Sequence, residues 1–291
     1  MNEFSWQEPE DISDVLAILE ESPAGETRLL AGGTALGLMI QQDLLPPCAL
    51  LSLRRLRRES GAASVRCDQD GTVHIGTLAT LRELEQSALL ARCAPVLVEA
   101  LHRVANPRIR NMATLGGHLA YGEPHLDLPP VLLAMGASVR LKSRKRERVL
   151  VLEDFFQGYY ATALEPDELL LEVMFPGQLS SWQGSYSRST AAAADDWPML
   201  GLATFLRMEG ARIAEVRLVA SGVQSTPTRL RIAEQLLLSD ILSPSLASQA
   251  ARSALEPLEV HDDVRGSGWY KKEILEVMVR RAVAQLTGAG Q

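Results

Sequence analysis

Leu30-Ala-Gly-Gly-Thr-Ala-Leu36 is the stretch that decides the fold. The apolar run at 28–31 predicts a buried strand, and the apolar residues at 35–41 predict a helical turn directly after the glycines. Because glycine has no β-carbon, successive backbone N–H groups can approach an anion there, and the start of a helix adds partial positive charge. A plain tight turn is the alternative. The stretch lacks the P-loop lysine and the GxGxxG spacing, so it supports neither of those nucleotide folds.

A second glycine stretch follows, Asn106-Pro-Arg-Ile-Arg-Asn-Met-Ala-Thr-Leu-Gly-Gly-His118. Thr114 with its two following glycines predicts a second glycine turn that carries a hydroxyl donor. Asp127 then begins a helix whose first turn holds Pro129 and Pro130. Its carboxylate could cap that helix, or it could accept a hydrogen bond from a ribose or ribityl hydroxyl. The two glycine turns together are more specific than either alone.

Outward from these stretches the pattern is mixed α and β. A helix is predicted around Val15 to Leu19, capped by Asp11 or Ser13, with a strand at 48–53. A hairpin is predicted from 65–67 to 72–76, a capping box opens a helix at 80–83, and a helix runs over 94–104 and ends near Asn106-Pro107.

Beyond the middle of the chain, strands are predicted at 138–141, 149–152 and 169–175. Pro176-Gly177 and the polar stretch after it mark a domain boundary. A hairpin at 199–208 and 213–220 then gives way to helices. In the last helix, a stripe at helical spacing is predicted to face the core: Tyr270, Ile274, Val277 and Met278.

Four ordered motifs carry a resemblance to a known family. They are Ala31-Gly-Gly-Thr-Ala-Leu36, Arg108-Ile-Arg-Asn-Met-Ala-Thr-Leu-Gly-Gly-His118, Asp127-Leu-Pro-Pro-Val-Leu-Leu-Ala134 and Asp263-Val-Arg-Gly-Ser-Gly-Trp-Tyr-Lys271. The chain resembles the FAD-binding medium subunit of molybdenum hydroxylases, a family that includes the carbon monoxide dehydrogenase medium chain and the xanthine dehydrogenase FAD-binding subunit. The similarity runs in register from about Phe4 to Leu286.

The resemblance implies an α+β fold with a two-lobed, PCMH-type FAD-binding domain over residues 1–176, its lobes at about 1–53 and 54–176. A smaller C-terminal α+β domain, a three-stranded sheet with helices, is expected over 180–287. In such a protein the flavin carries the chemistry, and no side chain of the chain need act as a catalytic acid or base.

The resemblance also assigns cofactor contacts. The first glycine segment would wrap the FAD diphosphate through backbone N–H groups, the second would face it, Asp127 would bind a polar part of the cofactor, and Trp197 would lie beside the isoalloxazine ring. Val104 and Leu164 fall where the family lines its FAD cleft. The two glycine segments comprise Ala31, Gly32, Gly33, Thr34 and Ala35, and Thr114, Leu115, Gly116, Gly117 and His118.

The implied partners are a molybdopterin-binding large subunit and a small subunit with 2Fe-2S clusters. Electrons from those clusters would pass through FAD to an external acceptor such as NAD, oxygen or a quinone. Two alternatives stay open. One is an assembly or scaffold subunit without FAD, suggested by Thr34, Ala35 and His118, which depart from the family pattern, and the other is a stand-alone flavin oxidase.

Composition excludes several other classes. With 36 acidic and 29 basic residues the formal net charge is -7, so neither nucleic acid nor an anionic membrane attracts the chain overall. The basic clusters at 54–58 and 142–148 are read as solvated turns or partner contacts. Three scattered cysteines, Cys48, Cys67 and Cys93, match neither a metal spacing nor a disulfide framework and favour a reduced, cytoplasmic chain.

A metal site is the last alternative from sequence. Imidazole and carboxylate groups cluster at His118, Glu123, His125 and Asp127, but their spacing matches no metal motif, and polar loop residues are the favoured interpretation. The sequence also contains no signal-like start and no apolar run long enough to span a membrane.

Overall fold

A three-stranded parallel sheet forms the first lobe. We describe it, and the rest of the chain, from a computed structural model that covers residues 4–45, 49–59, 61–177, 181–193, 196–239 and 243–287. The strand order is β1-β3-β2, and Asp11 caps α1 by accepting from the Asp14 N–H. The elements are β1 (Ser5–Gln7), α1 (Ile12–Glu21), β2 (Thr27–Leu30), α2 (Leu36–Gln41) and β3 (Ala49–Ser52), followed by a 3₁₀ turn (Arg55–Arg58).

The second lobe combines a five-stranded antiparallel sheet with a group of short helices. Its strand order is β4-β5-β10-β6-β7, so the last strand in sequence lies in the middle of the sheet. The helices are α3 (Leu81–Glu85), α4 (Ala88–Cys93), α5 (Pro95–Arg103), α6 (Pro107–Arg110), α7 (Leu115–Ala120), α8 (Leu128–Ala134) and α9 (Leu152–Phe155). The strands are β4 (Val65–Cys67), β5 (Thr72–Gly76), β6 (Ser138–Lys142), β7 (Glu147–Val151), β8 (Phe156–Gly158), β9 (Ala161–Thr162) and β10 (Leu169–Pro176).

The C-terminal part is an antiparallel sheet covered by helices. Three long strands pair in the order β11-β12-β13, and a two-residue strand, β14, extends the sheet by one. Its elements are β11 (Gln183–Thr190), β12 (Pro198–Glu209), β13 (Arg212–Ser221), β14 (Thr228–Arg229), α10 (Arg231–Ser239), α11 (Pro244–Ser253) and α12 (Gly268–Thr287).

The largest apolar core joins the second lobe to the C-terminal sheet. Leu97 and Leu101 of α5 and Leu128 of α8 share this core with Phe205 and Val219 of the C-terminal strands. The second lobe and the C-terminal sheet are therefore packed against each other. The boundary at residue 176 stays a prediction.

Most local predictions agree with the structure. The hairpin of β4 and β5 and the capping box at Thr80 and Glu83 are both present. Asn106 does not simply end the preceding helix, because its side chain caps the next one, α6. The strand predicted at 48–53 begins at Ala49, and Cys48 lies outside the described residues.

The predicted stripe of α12 is wrong by one residue. Tyr270 is exposed, whereas Leu275, Val279 and Val283 are fully buried. Ile274 and Met278 lie at the edge of the core. Apolar residues follow two adjacent stripes of this helix, and only the position of α11 and the sheet decides which one is buried. Among the described helices, none combines the length and the apolar composition needed to cross a bilayer.

Candidate functional site

The first glycine segment, residues 31–35, links β2 to α2 with unused backbone donors. Gly33 has φ +70°, a left-handed conformation that favours glycine. The N–H groups of Gly32, Gly33, Thr34 and Ala35 donate no hydrogen bond to another described residue. Within the described ranges, no side chain caps α2. Because the segment is half-buried, this row of donors can bind an anion that reaches it from the cleft.

The second glycine segment, residues 114–118, has a different backbone. Both of its glycines lie in the first turn of α7, so the predicted glycine turn is a helix start capped by Thr114. Leu115 N–H donates to Ala79 O at 3.0 Å, and Gly116 N–H donates to Thr77 O at 2.8 Å. The N–H groups of the next two residues donate to Thr114 itself. The segment therefore has few backbone donors left for a ligand.

The first glycine segment lies against the residues that directly precede the second one. A β-carbon built on Gly32 would be 2.0 Å from Met112 O and 2.9 Å from the Ala113 Cα. Only a residue without a side chain allows this approach. The row of free donors in the first segment is thus backed by the chain that leads into the second segment.

His118 closes the second segment with a neutral ring. Its Nε2 is buried and has no hydrogen-bond partner among the residues that the structure describes, and burial lowers the pKa of His118 to about 3. The imidazole therefore carries no charge at neutral pH.

Asp127 does not cap its helix. It lies at the N-terminus of α8 in helical conformation, and its side chain accepts no bond from the helix backbone. Instead Oδ1 accepts from the Tyr186 hydroxyl at 2.8 Å and lies 3.2 Å from Nη1 of Arg188. Burial raises the pKa of Asp127 to about 6, although the charge of Arg188 and the Tyr186 bond oppose that rise. The capping alternative is wrong, and the carboxylate joins the second lobe to β11.

Arg188 is a residue that sequence reasoning missed. Besides Asp127, its guanidinium donates to Arg103 O at 2.6 Å and to Asp196 O, next to Trp197. One buried side chain thus contacts three segments that carry predicted cofactor residues. The alternation of β11 places residues 186 and 188 on one face of the strand, a signal that could have identified the pair.

The predicted ring partner, Trp197, lies in an aromatic cluster at the end of α7. Its ring centroid is 6.2 Å from that of Tyr121, which in turn packs edge to face against Tyr160 at 5.3 Å. The Arg265 guanidinium lies 6.0 Å from the Trp197 centroid. Because Tyr121 follows the last residue of α7, this cluster lies at the C-terminal end of the helix that the second glycine segment begins.

The two predicted apolar wall residues lie on separate loops. Val104 is buried at the C-terminal end of α5, and Leu164 packs, partly buried, against the same core after β9. In the described part of the chain, no hydrogen bond joins these loops to either glycine segment. Their contact with the cofactor stays a prediction.

Two of the four groups considered as a metal cluster, Glu123 and His125, belong to a polar network with Asp263 and Lys271. His125 Nδ1 lies 2.8 Å from Glu123 Oε1, and its Nε2 lies 3.0 Å from Asp263 Oδ2. Lys271 Nζ donates to the same Asp263 oxygen at 2.6 Å. Within the described part of the chain, no three His, Cys, Asp or Glu side chains converge as metal ligands would. The network connects the second lobe to the motif at 263–271.

The basic cluster at 142–148 is paired within the chain. Arg144 and Lys145 both contact Glu20, and Arg146 and Arg148 contact Glu168. These ion pairs within the chain reduce the attraction of the cluster for a phosphate backbone.

The residues present fit FAD. A diphosphate needs several convergent donors and little side-chain bulk, and the first glycine segment supplies both. The rings of Trp197, Tyr121 and Tyr160 lie at the C-terminal end of α7, where a flat ring could pack. The hydroxyl of Thr114 accepts from Gly117 and retains its own proton to donate.

Comparison with known proteins gives the same answer. The profile of the family described as "FAD binding domain in molybdopterin dehydrogenase" matches residues 2–178, and that of "CO dehydrogenase flavoprotein C-terminal domain" matches residues 185–286. The carbon monoxide dehydrogenase medium chain of Afipia carboxidovorans is 30% identical over 281 residues, which cover 96% of this chain and 95% of that one.

Two further proteins are similar over nearly their whole length. The xanthine dehydrogenase FAD-binding subunit of Escherichia coli O157:H7 is 24% identical over 286 residues, 98% of this chain and 96% of that one. A carbon monoxide dehydrogenase chain from Hydrogenophaga pseudoflava, in a structure that lacks the Mo-pyranopterin moiety, superposes with a TM-score of 0.93 at 27% identity and covers 99% of this chain and 98% of that one. The resemblance of the motifs and the predicted fold class are confirmed.

Proposed function

The chain belongs to the molybdopterin dehydrogenase FAD-binding family, and from that premise we propose that it is the FAD-carrying medium subunit of a molybdenum-containing hydroxylase complex. The observation that supports this most directly is the row of unused N–H groups at Gly32, Gly33, Thr34 and Ala35. When bound, FAD accepts electrons and returns them to an acceptor.

The chain's own groups bind and orient the cofactor. The first glycine segment holds the diphosphate, and the neutral His118 and the Thr114 hydroxyl offer polar contacts beside it. Asp127 accepts from a ribityl or ribose hydroxyl through lone pairs that Tyr186 and Arg188 leave free. Trp197 packs against the isoalloxazine ring, and Val104 and Leu164 exclude water from the cleft. None of these residues acts as an acid or a base.

The partners of the proposed complex are a molybdopterin-binding large subunit and a 2Fe-2S small subunit. Relatives named medium chain or FAD-binding subunit of a dehydrogenase support this assignment. Electrons enter from the iron–sulfur clusters and leave for NAD, oxygen or a quinone. We place the complex in the cytoplasm, because the three scattered cysteines suit a reducing compartment.

A flavin titration of the purified full-length chain tests the proposal. We expect a yellow protein with a flavin spectrum, or an apoprotein that quenches the fluorescence of added FAD with saturation. A colourless chain that cannot be reconstituted with FAD would instead favour the scaffold alternative.

Co-purification of the native complex tests the partners. Molybdenum and iron–sulfur chains recovered with this chain in a fixed ratio support the proposal. Turnover of a reduced organic substrate by the isolated flavoprotein, with no partner bound, would favour a stand-alone oxidase. An acceptor screen on the complex then identifies where the electrons leave.

A further inference from the structure

The two loops that carry Val104 and Leu164, the predicted apolar walls of the FAD cleft, are fixed by the same kind of contact. Each loop is held by an arginine whose guanidinium also binds a buried glutamate. We propose that these arginine–glutamate pairs are positioning residues that set Val104 and Leu164 against the cofactor. The inference rests on the proposed function, because it takes both wall residues as part of the FAD site. The pairs are Arg110 with Glu85 and Arg148 with Glu168.

The first pair holds the loop after α5. Arg110 Nε donates to Glu85 Oε2 at 3.0 Å, and Nη1 donates to Val104 O at 2.8 Å and to Ala105 O at 3.1 Å. Both charged side chains are buried, with 5% and 6% of their surface exposed. Ala105 has φ +44°, which is unfavourable for alanine and persists only where surrounding contacts enforce it. The guanidinium supplies those contacts.

The guanidinium of Arg188 also holds the loop after α5. Arg188 donates to Arg103 O, so the carbonyl groups of residues 103, 104 and 105 all accept from buried arginines. With three successive carbonyls fixed, the backbone that carries the Val104 side chain has little freedom to move.

The second pair holds the loop after β9. Arg148 binds Glu168 through two parallel bonds of 2.7 Å each, and its Nη2 also donates to Ala163 O at 2.6 Å. Glu168 in turn accepts from the Glu165 N–H at 3.0 Å. Leu164 therefore lies between two residues whose backbone groups are both fastened to the same ion pair.

Both glutamates are held in their charged form. Burial alone would raise the pKa of Glu168, but the bond from Arg148 and the Glu165 N–H lower it overall. Burial acts in the same way on Glu85, and bonds from Arg82 and His102 and the charge of Arg110 lower its pKa overall. A planar guanidinium can bind a carboxylate and a carbonyl at once, whereas a lysine ammonium cannot reproduce that fork.

A double-mutant cycle on the full-length chain tests the role of the Arg110–Glu85 pair. We expect Arg110→Lys to weaken FAD binding about tenfold in a fluorescence titration, and to have little further effect in a Val104→Ala background. Arg207→Lys is the matched control, because Arg207 binds Glu215 at the surface of β12 and should leave FAD binding unchanged. In the FAD-free chain, hydrogen exchange of the backbone amides at 103–105 should be faster in Arg110→Lys than in the wild-type chain. The same amides should exchange at the wild-type rate in Arg207→Lys.

A second cycle, with Arg148→Lys and Leu164→Ala, tests the other loop independently. It replaces the first cycle if Arg110→Lys does not fold. A purely structural role predicts a lower unfolding midpoint with an unchanged FAD dissociation constant, and that result overturns the inference. If the wild-type chain itself binds no FAD, the proposed function and this inference fail together. Wild-type binding with unaltered binding in both lysine variants removes the inference alone.

Discussion

The two glycine segments look alike in sequence and differ in what their backbones do. In the first segment, residues 31–35, four successive N–H groups donate to no described residue. In the second, residues 114–118, the N–H groups after Thr114 are all bonded inside the protein. A pair of glycines thus leaves backbone donors free at the start of α2 and allows close packing in the first turn of α7. Glycine pairs identify close approach, but not what approaches.

Among the substitutions that test the difference between the two glycine segments, Gly33→Val should have the largest effect. A branched side chain at φ +70° is strained and would be 3.1 Å from the Leu30 side chain, beside the row of donors. We expect FAD affinity to fall by about a hundredfold or more in the titration. Gly37→Val is the control, because its β-carbon meets open space one turn later. Undiminished flavin content in Gly33→Val would remove the first segment from the site.

Gly116→Ala probes the packing role of the second segment. Its new β-carbon would be 2.7 Å from the Thr77 β-carbon, so the helix or the strand end must move. The free energy of unfolding should fall by about 2 kcal/mol in denaturant titration, as for an overpacked core. Gly117→Ala, at an exposed site in the same turn, should change it by less than about 1 kcal/mol. Equal costs in the two variants would contradict the packing assignment.

His118→Asn changes the pH dependence of stability through the second segment. The folded pKa of His118 lies at about 3, below its usual 6.5, so the contribution of the neutral ring is complete above 6.5 and is lost as the pH falls. Between pH 7 and pH 5 the wild-type chain should lose about 2 kcal/mol more unfolding free energy than the variant. Parallel pH profiles for the two proteins would show that the imidazole takes up a proton without unfolding.

Thr114→Ala is the smallest expected effect. It removes the oxygen that accepts the Gly117 N–H and should lower the unfolding free energy by about 1 kcal/mol. Thr114→Ser keeps that oxygen and should recover most of the loss. If serine is no better than alanine in thermal denaturation, packing of the methyl group is what matters at this position.

The local elements were predictable because their signals are short-range. The capping box at Thr80, the hairpin turn before Thr72 and the prolines of α8 each specify structure within a few residues. The buried stripe of α12 was not predictable, because two adjacent stripes are almost equally apolar. Which stripe is buried depends on how α12 packs against α11 and the C-terminal sheet.

The candidate site divides in the same way. The glycine segments, Asp127 and Trp197 were named from the motifs of the sequence. Tyr186 and Arg188 were not, because their contact with Asp127 joins residues about sixty positions apart. The Glu85 and Glu168 pairs were likewise invisible, since an exposed and a buried glutamate look the same in sequence.

By itself, the sequence determined the family, the FAD cofactor and the two places where a backbone must come close to something else, since glycine at a strand-to-helix junction has a local steric meaning. The tertiary structure alone decided which backbone groups remain free and which are bonded, and which partner each buried charge has. A hydrogen bond depends on where distant segments meet, and that is set by the packing of the whole core rather than by any one motif.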